Sequence, residues 1–267
     1  MRKTAEELIG MRQAGEFNGQ LLDFVRPHIK AGVSTEDINA LVHEYTVRHG
    51  HRPATLGYHG FPKSCCTSIN EVVCHGIPSP SEILKDGDII NVDLTTIVDG
   101  FYGDSSETFL IGEVSPQARH LVAVAAEAMV RGIRAVVPGK PLSCIAEAIQ
   151  PFVEKEGCTV VQQYTGHGVG KQFHEHFTVY HHIDPDAEEI IMEPGMTFTI
   201  EPMINLGNWR VLTDRHDGWT VRTKDGALSA QFEHTVAVTE EGVDVLTLTP
   251  GERKKGVMIE VEGLYAG

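Results

Sequence analysis

The stretch DIINVDLTTIVDGFYGDSSETF, residues 88–109, alternates strictly at its start. Ile90, Val92 and Leu94 fall on one face of an extended strand, and Asn91, Asp93 and Thr95 fall on the other. Asp99-Gly100 is a turn signal, so the chain is expected to fold back as a hairpin through Phe101-Tyr102-Gly103 to Asp104. Two more segments repeat this design. In MTFTIEPM (196–203), Phe198 and Ile200 oppose Thr197, Thr199 and Glu201, and Pro202 disfavours helix at Glu201, which holds that carboxylate at a strand end. In SAQFEHTVAV (229–238), Gln231, Glu233 and Thr235 share a face of one expected strand. A half-solvated sheet explains any single acid of this kind. Several aimed into a common core would instead have to be paired or metal-bound.

Helices surround these strands in the pattern. Thr4 and Glu7 form a capping box for a first helix whose apolar positions (Leu8, Met11, Leu21, Leu22, Val25, Ile29) run on toward Gly32. A second helix is expected from Ser34 to Gly50, a third from Ser115-Pro116 to Pro138-Gly139, and a fourth from Ser143 to Gly157. The segments 32–50 and 139–157 both run glycine to glycine over equal length, with Ile38, Val42 and Tyr45 aligned to Ile145, Ile149 and Phe152. Two amphipathic helices can always be slid into register. The order of elements nevertheless favours a real repeat, because glycine-broken strands follow each helix pair. The expectation is a single catalytic domain, 1–267, with halves of about 1–110 and 111–248 and a site at their junction.

The 267 residues are 41% hydrophobic and 22% charged, with a formal charge of -15. Such acidity argues against binding nucleic acid, and a specific nucleic-acid partner is not expected. Five cysteines (65, 66, 74, 144 and 158) without CxxC pairing fit free thiols in a reducing compartment. The N-terminus lacks the apolar core of a secretory signal, and no apolar run is long enough for a bilayer. The expected location is therefore cytoplasmic, without membrane association.

Carboxylates with a single imidazole suit divalent Mn, Fe, Co or Zn rather than a thiolate centre. Spacing alone does not choose among the many acids, and no HExxH helix supplies a local signature. NEVVCHGIP (70–78), NVDLTTIVDGFYGDSSETF (91–109), TGHGVG (165–170), FTIEPM (198–203) and SAQFEHT (229–235), taken in order, resemble the type I methionine aminopeptidases. The likeness runs from the first helix to about residue 248; the last residues, ERKKGVMIEVEGLYAG, read as an ordinary tail.

That resemblance implies the α+β pita-bread fold: two pseudo-twofold-related halves around a central curved antiparallel sheet, with helices outside. It implies removal of N-terminal methionine from nascent chains and peptides with a small second residue, by a metal-bridging hydroxide that attacks the scissile carbonyl. Two divalent ions (Co, Mn, Fe(II) or Zn) would be held by Asp93, Asp104, His167, Glu201 and Glu233, with Glu201 also moving protons. By the same likeness His75 meets the scissile amide nitrogen and His174 the developing oxyanion, while Tyr58, Phe61, Cys66, Phe173 and Trp219 form the methionine slot. Thr55 departs from the cysteine usual in the family, and Cys65 stands beside the matching Cys66, so the slot's shape is expected to differ. Asn70, Val72 and Ser229 match a monovalent (Na or K) cation site of some relatives. The implied partners are nascent polypeptide N-termini with transient ribosome proximity, and the expected state is a monomer. A prolidase or proline-specific aminopeptidase shares the five ligands but usually carries an extra N-terminal domain. A silent binding scaffold of the same fold would have lost ligands.

Overall fold

The computed structural model describes residues 1–187 and 189–255. Five helices are present among them: α1 (Ala5–Val25), α2 (Thr35–Arg48), α3 (Pro116–Arg134), α4 (Ser143–Lys155) and α5 (Pro250–Lys255). The main antiparallel sheet runs in the order β1 (Arg52–Pro53), β4 (Ile89–Val98), β5 (Phe101–Leu110), β14 (Glu233–Val238), β9 (Thr197–Ile200), β7 (Gly166–Gly168) and β8 (Glu175–Val179). Two further strands join it: β2 (Cys66–Ile69) on β4 and β15 (Val243–Val245) on β14. A second sheet orders β13 (Ser229–Gln231), β10 (Met203–Asn205) and β6 (Thr159–Val160). A third orders β11 (Val211–Thr213), β12 (Val221–Thr223) and β3 (Val72–Cys74).

The apolar faces read from the sequence are the ones that bury. Ile90, Val92 and Leu94 of β4 pack with Leu21, Leu22 and Val25 of α1 and with Ile38 and Val42 of α2. Phe198 and Ile200 of β9 join Val236 and Val238 of β14 in a larger core under α3 and α4. Helices therefore cover one side of the curled sheet and leave its polar side for the acids, which is the expected α+β pita-bread architecture. The β4–β5 hairpin closes at Asp99 (φ 49°) and Gly100 (φ 86°), the paired left-handed conformation of a two-residue turn. Gly103 lets α1 approach β5: a Cβ there would lie 2.4 Å from the Ala14 carbonyl oxygen.

Both helix pairs are tied down alike. Gly32 N–H donates to Leu84 O and Gly139 N–H to Met192 O, at 2.8 Å in each case. Leu84 N–H donates to Val33 O at 2.9 Å, and Met192 N–H to Lys140 O at 2.8 Å. Thr35 N–H donates to Glu82 O at 2.9 Å, and Leu142 N–H to Ile190 O at 2.8 Å.

Three expectations change. α1 stops at Val25 and gives way to a 3-10 turn, Arg26–His28, because Pro27 has no N–H to continue the helical ladder. SAQFEHTVAV is two strands rather than one: it breaks at Phe232, sending Gln231 to the small sheet with β10 and Glu233 to the main sheet. The tail begins with structure, since Glu252 to Lys255 lie in α5 and the Glu252 carboxylate is 3.5 Å from buried His234. Its remainder, 256–267, is outside the described residues.

Candidate metal centre and active site

Strand register assembles the centre. Asp93 on β4 is paired with Ser106 on β5, and Ser106 is paired on its other side with Glu233 on β14. Asp104 lies two residues from Ser106 along β5, on the same face. β14 pairs His234 with Ile200, so the next register step sets Glu201 across from Glu233. His167 enters from β7, where its backbone N–H donates to Thr199 Oγ1 at 3.0 Å. One hairpin, carrying Asp93 and Asp104, and three segments far from it in sequence thus bring their side chains to one spot.

The contacts are close. Asp104, His167 and Glu233 offer ligand atoms that all lie within 4.8 Å of one another. His167 Nε2 is 3.6 Å from Asp104 Oδ2 and 3.5 Å from Glu201 Oε1. Its Nδ1 is 3.1 Å from the Gly168 carbonyl oxygen. A carbonyl only accepts, so Nδ1 carries the proton and Nε2 turns its lone pair to the acids. Thr95 Oγ1 donates to Asp104 Oδ1 and Thr199 Oγ1 to Glu201 Oε1, both at 2.7 Å. Gln231 Nε2 holds Glu201 Oε2 at 3.3 Å. The misassigned strand break therefore has a use: Gln231 reaches the centre from the neighbouring sheet.

Burial sets the electrostatics. Desolvation pushes the Asp93 carboxyl up to about 7. It pushes Asp104, Glu201 and Glu233 well above the carboxylate range, and neighbouring carboxylates add to the effect. It holds His167 down at about 3, with His174 adding repulsion. Among the described residues no Lys or Arg pairs with any of the four acids, and Asp93 Oδ1 is buried without a hydrogen-bond partner. Three buried acids and a half-buried Asp93, with one neutral imidazole and an orphaned oxygen, fit a divalent cation, whose charge would replace the missing partner.

Above the acids opens a cavity of about 620 Å³. Its walls include Asp93, Asp104, His167, Glu201 and Glu233 together with His75, His174, Tyr58, Phe61, Cys66, Phe173, Trp219 and Thr55. His174 packs against His167 with ring centroids 4.0 Å apart and the rings tilted by 42°, and its Nδ1 is 2.9 Å from the Tyr58 hydroxyl. His75 sits at φ 56°, in the left-handed region just past the end of β3, and burial first, then His174, holds its pKa at about 4. Trp219 meets the edge of Phe61 at 5.2 Å and of His75 at 5.9 Å. Thr55 Oγ1 donates to Lys63 O at 3.0 Å, so its hydroxyl is satisfied by the backbone. Cys65 faces away, into the core behind β4 with Leu21 and Val92.

Asn70, Val72 and Ser229 lie outside this cavity. Ser229 N–H donates to Asn70 O at 2.9 Å, and Ser229 Oγ is buried with no hydrogen-bond partner.

Sequence reasoning missed several residues. Tyr164 lines the cavity and meets His75 at 5.5 Å, and Met203 and His59 also line it. His181 is the main omission. It is 1% exposed, and its Nε2 accepts the Glu201 backbone N–H at 3.1 Å. The signal was alternation: Phe177, Val179 and His181 share a strand face, and a histidine on a buried face must find a partner.

Comparison with known proteins places the chain in a family. The model of Metallopeptidase family M24 matches residues 9–240. The methionine aminopeptidase of Salmonella typhimurium is 49% identical over 247 residues, which are 92% of this chain and 93% of that protein. The crystal structure of methionine aminopeptidase from Rickettsia prowazekii has a TM-score of 0.90 at 45% identity, covering 93% of this chain and 99% of its own. A prolidase from Pyrococcus furiosus shares the fold alone, with a TM-score of 0.72, 21% identity, and coverage of 93% of this chain and 65% of its own. On the family match and on identity along nearly its whole length, the chain belongs to metallopeptidase family M24, among the methionine aminopeptidases.

Proposed function

We propose that the protein removes N-terminal methionine from peptides and nascent chains, preferring a small second residue. The observation that carries this reading is the buried acid cluster opening directly into an aromatic-walled cavity under two histidines. Asp93, Asp104, His167, Glu201 and Glu233 would hold two divalent ions at the junction of the halves 1–110 and 111–248. When bound, such ions supply Lewis acidity, which lowers the pKa of water and gives a free α-amine an anchor.

The chain's own groups do the rest. Glu201 takes the proton of the attacking water and passes it to the leaving nitrogen. His174 donates from Nε2 to the developing oxyanion, which requires its Nδ1 to accept from the Tyr58 hydroxyl 2.9 Å away. His75, held neutral by burial, meets the scissile amide nitrogen. Tyr58, Phe61, Cys66, Phe173 and Trp219 enclose the thioether, a polarisable group that aromatic edges and a thiol suit. The buried, unpartnered Ser229 hydroxyl supports a monovalent cation beside Asn70 and Val72. The protein would act as a cytoplasmic monomer on chains leaving the ribosome. Its net charge of -15 gives no electrostatic reason for tight binding to ribosomal RNA.

The test is release of methionine from Met-Ala-Ser by metal-stripped protein reloaded anaerobically with Fe(II), Mn(II), Co(II) or Zn(II). Cleavage is expected only after reloading, and it should fall when leucine replaces alanine. No methionine release from folded, metal-loaded protein would overturn the reading, and cleavage of Xaa-Pro peptides instead would favour a prolidase.

A further inference from the structure

We propose that the free edge of β8 binds the substrate chain beyond its second residue, which adds to the sheet as one more strand. This rests on the aminopeptidase reading above. β8 ends the main sheet, with β7 as its strand partner. Among the described residues, the backbone of Glu175–Val179 makes no hydrogen bond outside that pairing. Half the N–H and C=O groups of such a strand point away from the sheet, ready for an extended peptide. Phe177 and Val179 are buried and hold the strand down, while His176 and Thr178 are exposed.

The edge is continuous with the active site. Glu175, His176, Phe177 and Thr178 line the metal cavity, and Thr178 lies across from His167 in the register. Thr178 also lines a second cavity, of about 220 Å³, whose walls include Tyr180, His182, Leu142 and Ala146. His182 is 8% exposed, and its Nδ1 is buried without a hydrogen-bond partner. A peptide that leaves the metal cavity along β8 would bring backbone donors past this nitrogen. Five residues of strand span about 17 Å, enough for about four substrate residues beyond the second.

The experiment compares kcat/KM for Met-Ala-Ser amide with that for the hexapeptide Met-Ala-Ser-Thr-Val-Thr amide, on metal-loaded protein. Amidation removes the moving terminal charge. The longer peptide is expected to gain on the order of tenfold, from two or three net backbone hydrogen bonds. Single N-methylation at each of residues 3 to 6 should cut the gain by several-fold at alternate positions and spare it at the others, since only every second N–H of an added strand faces β8. Cleavage of the tripeptide without a gain on lengthening, or a gain indifferent to N-methylation, overturns the edge-strand proposal and leaves the aminopeptidase reading intact. A folded, loaded protein that cleaves neither peptide overturns both.

Discussion

The floor and the rim of the cavity are built on opposite principles. The floor consists of side chains fixed by strand register, and Asp104, Glu201 and Glu233 are all under 10% exposed. The rim is carried by loops: Tyr58 opens a 3-10 turn that follows left-handed Gly57 and ends at left-handed Gly60, and Phe173 and Trp219 lie between strands. The floor opposes folding until a cation compensates it, because every acid in it is desolvated. The rim consists of aromatic surface that gains by being covered. Loss of a floor residue should therefore change chemistry and metal-free stability together, whereas a rim substitution should change rates without moving either metal affinity or stability much.

The largest expected effect follows from Asp104→Asn. Removing one of the acids proposed to hold metal should lower kcat/KM by about a thousandfold or more, since metal chemistry supplies several kcal/mol of the barrier reduction. The same change should stabilise the metal-stripped protein at alkaline pH. Asp93 has a folded pKa of about 7, and Asp104, Glu201 and Glu233 lie well above their ordinary values. Below their unfolded values of about 4 these groups cost nothing, and stability is lost as pH rises toward the raised folded values. His75, His167 and His181, with folded values lowered to about 4, 3 and 3, act in the opposite sense only below about pH 6.5. Between pH 6.5 and 8 the acids dominate, so the Tm of the stripped wild type should fall, the fall should be smaller in Asp104→Asn, and divalent metal should reverse it. An unchanged stripped Tm across that window would contradict this account of the floor.

The floor was also the more legible half, though only in pieces. Alternation in NVDLTTIV and MTFTIEP correctly separates apolar from acidic faces, and Asp99-Gly100 correctly closes the hairpin, because these are local consequences of a two-residue period. Convergence was not local. Ser106 links Asp93 to Glu233 through partners far apart in sequence, and no spacing reveals that. The family motifs selected those acids, where physics alone left many. Phe232 escaped because an alternating run looks the same whether it stays in one sheet or changes sheets. Pro27 was a missed stop of the simplest kind. The rim was readable only by resemblance, since aromatic residues on loops carry no periodicity.

His181 lies between floor and rim in expected effect. It is not among the residues proposed to hold metal; it accepts the Glu201 backbone N–H and fixes where that carboxylate begins. His181→Phe fills a similar volume but leaves the N–H unpaired in a buried place. Metal affinity is expected to drop about 10–100-fold, as for partners that orient a ligand, with the metal-saturated kcat recovering most of its value. Calorimetric titration of stripped protein with Mn(II) measures this directly. Wild-type affinity in the variant would reduce His181 to a packing residue.

The smallest effect belongs to the rim and tests whether it does more than enclose. Tyr58 packs against Phe173 at 4.8 Å and also holds His174 Nδ1 through its hydroxyl. Tyr58→Phe keeps the ring and its packing and removes only that bond. If the hydroxyl fixes the tautomer that leaves Nε2–H free to donate, kcat should fall by about three- to tenfold, the scale of one net hydrogen bond, while KM and metal affinity stay within about twofold. A rise in KM at constant kcat would assign Tyr58 to the methionine slot alone. Either result separates positioning from enclosure on a single side chain, because the substitution leaves the aromatic surface in place and so cannot act through lost packing.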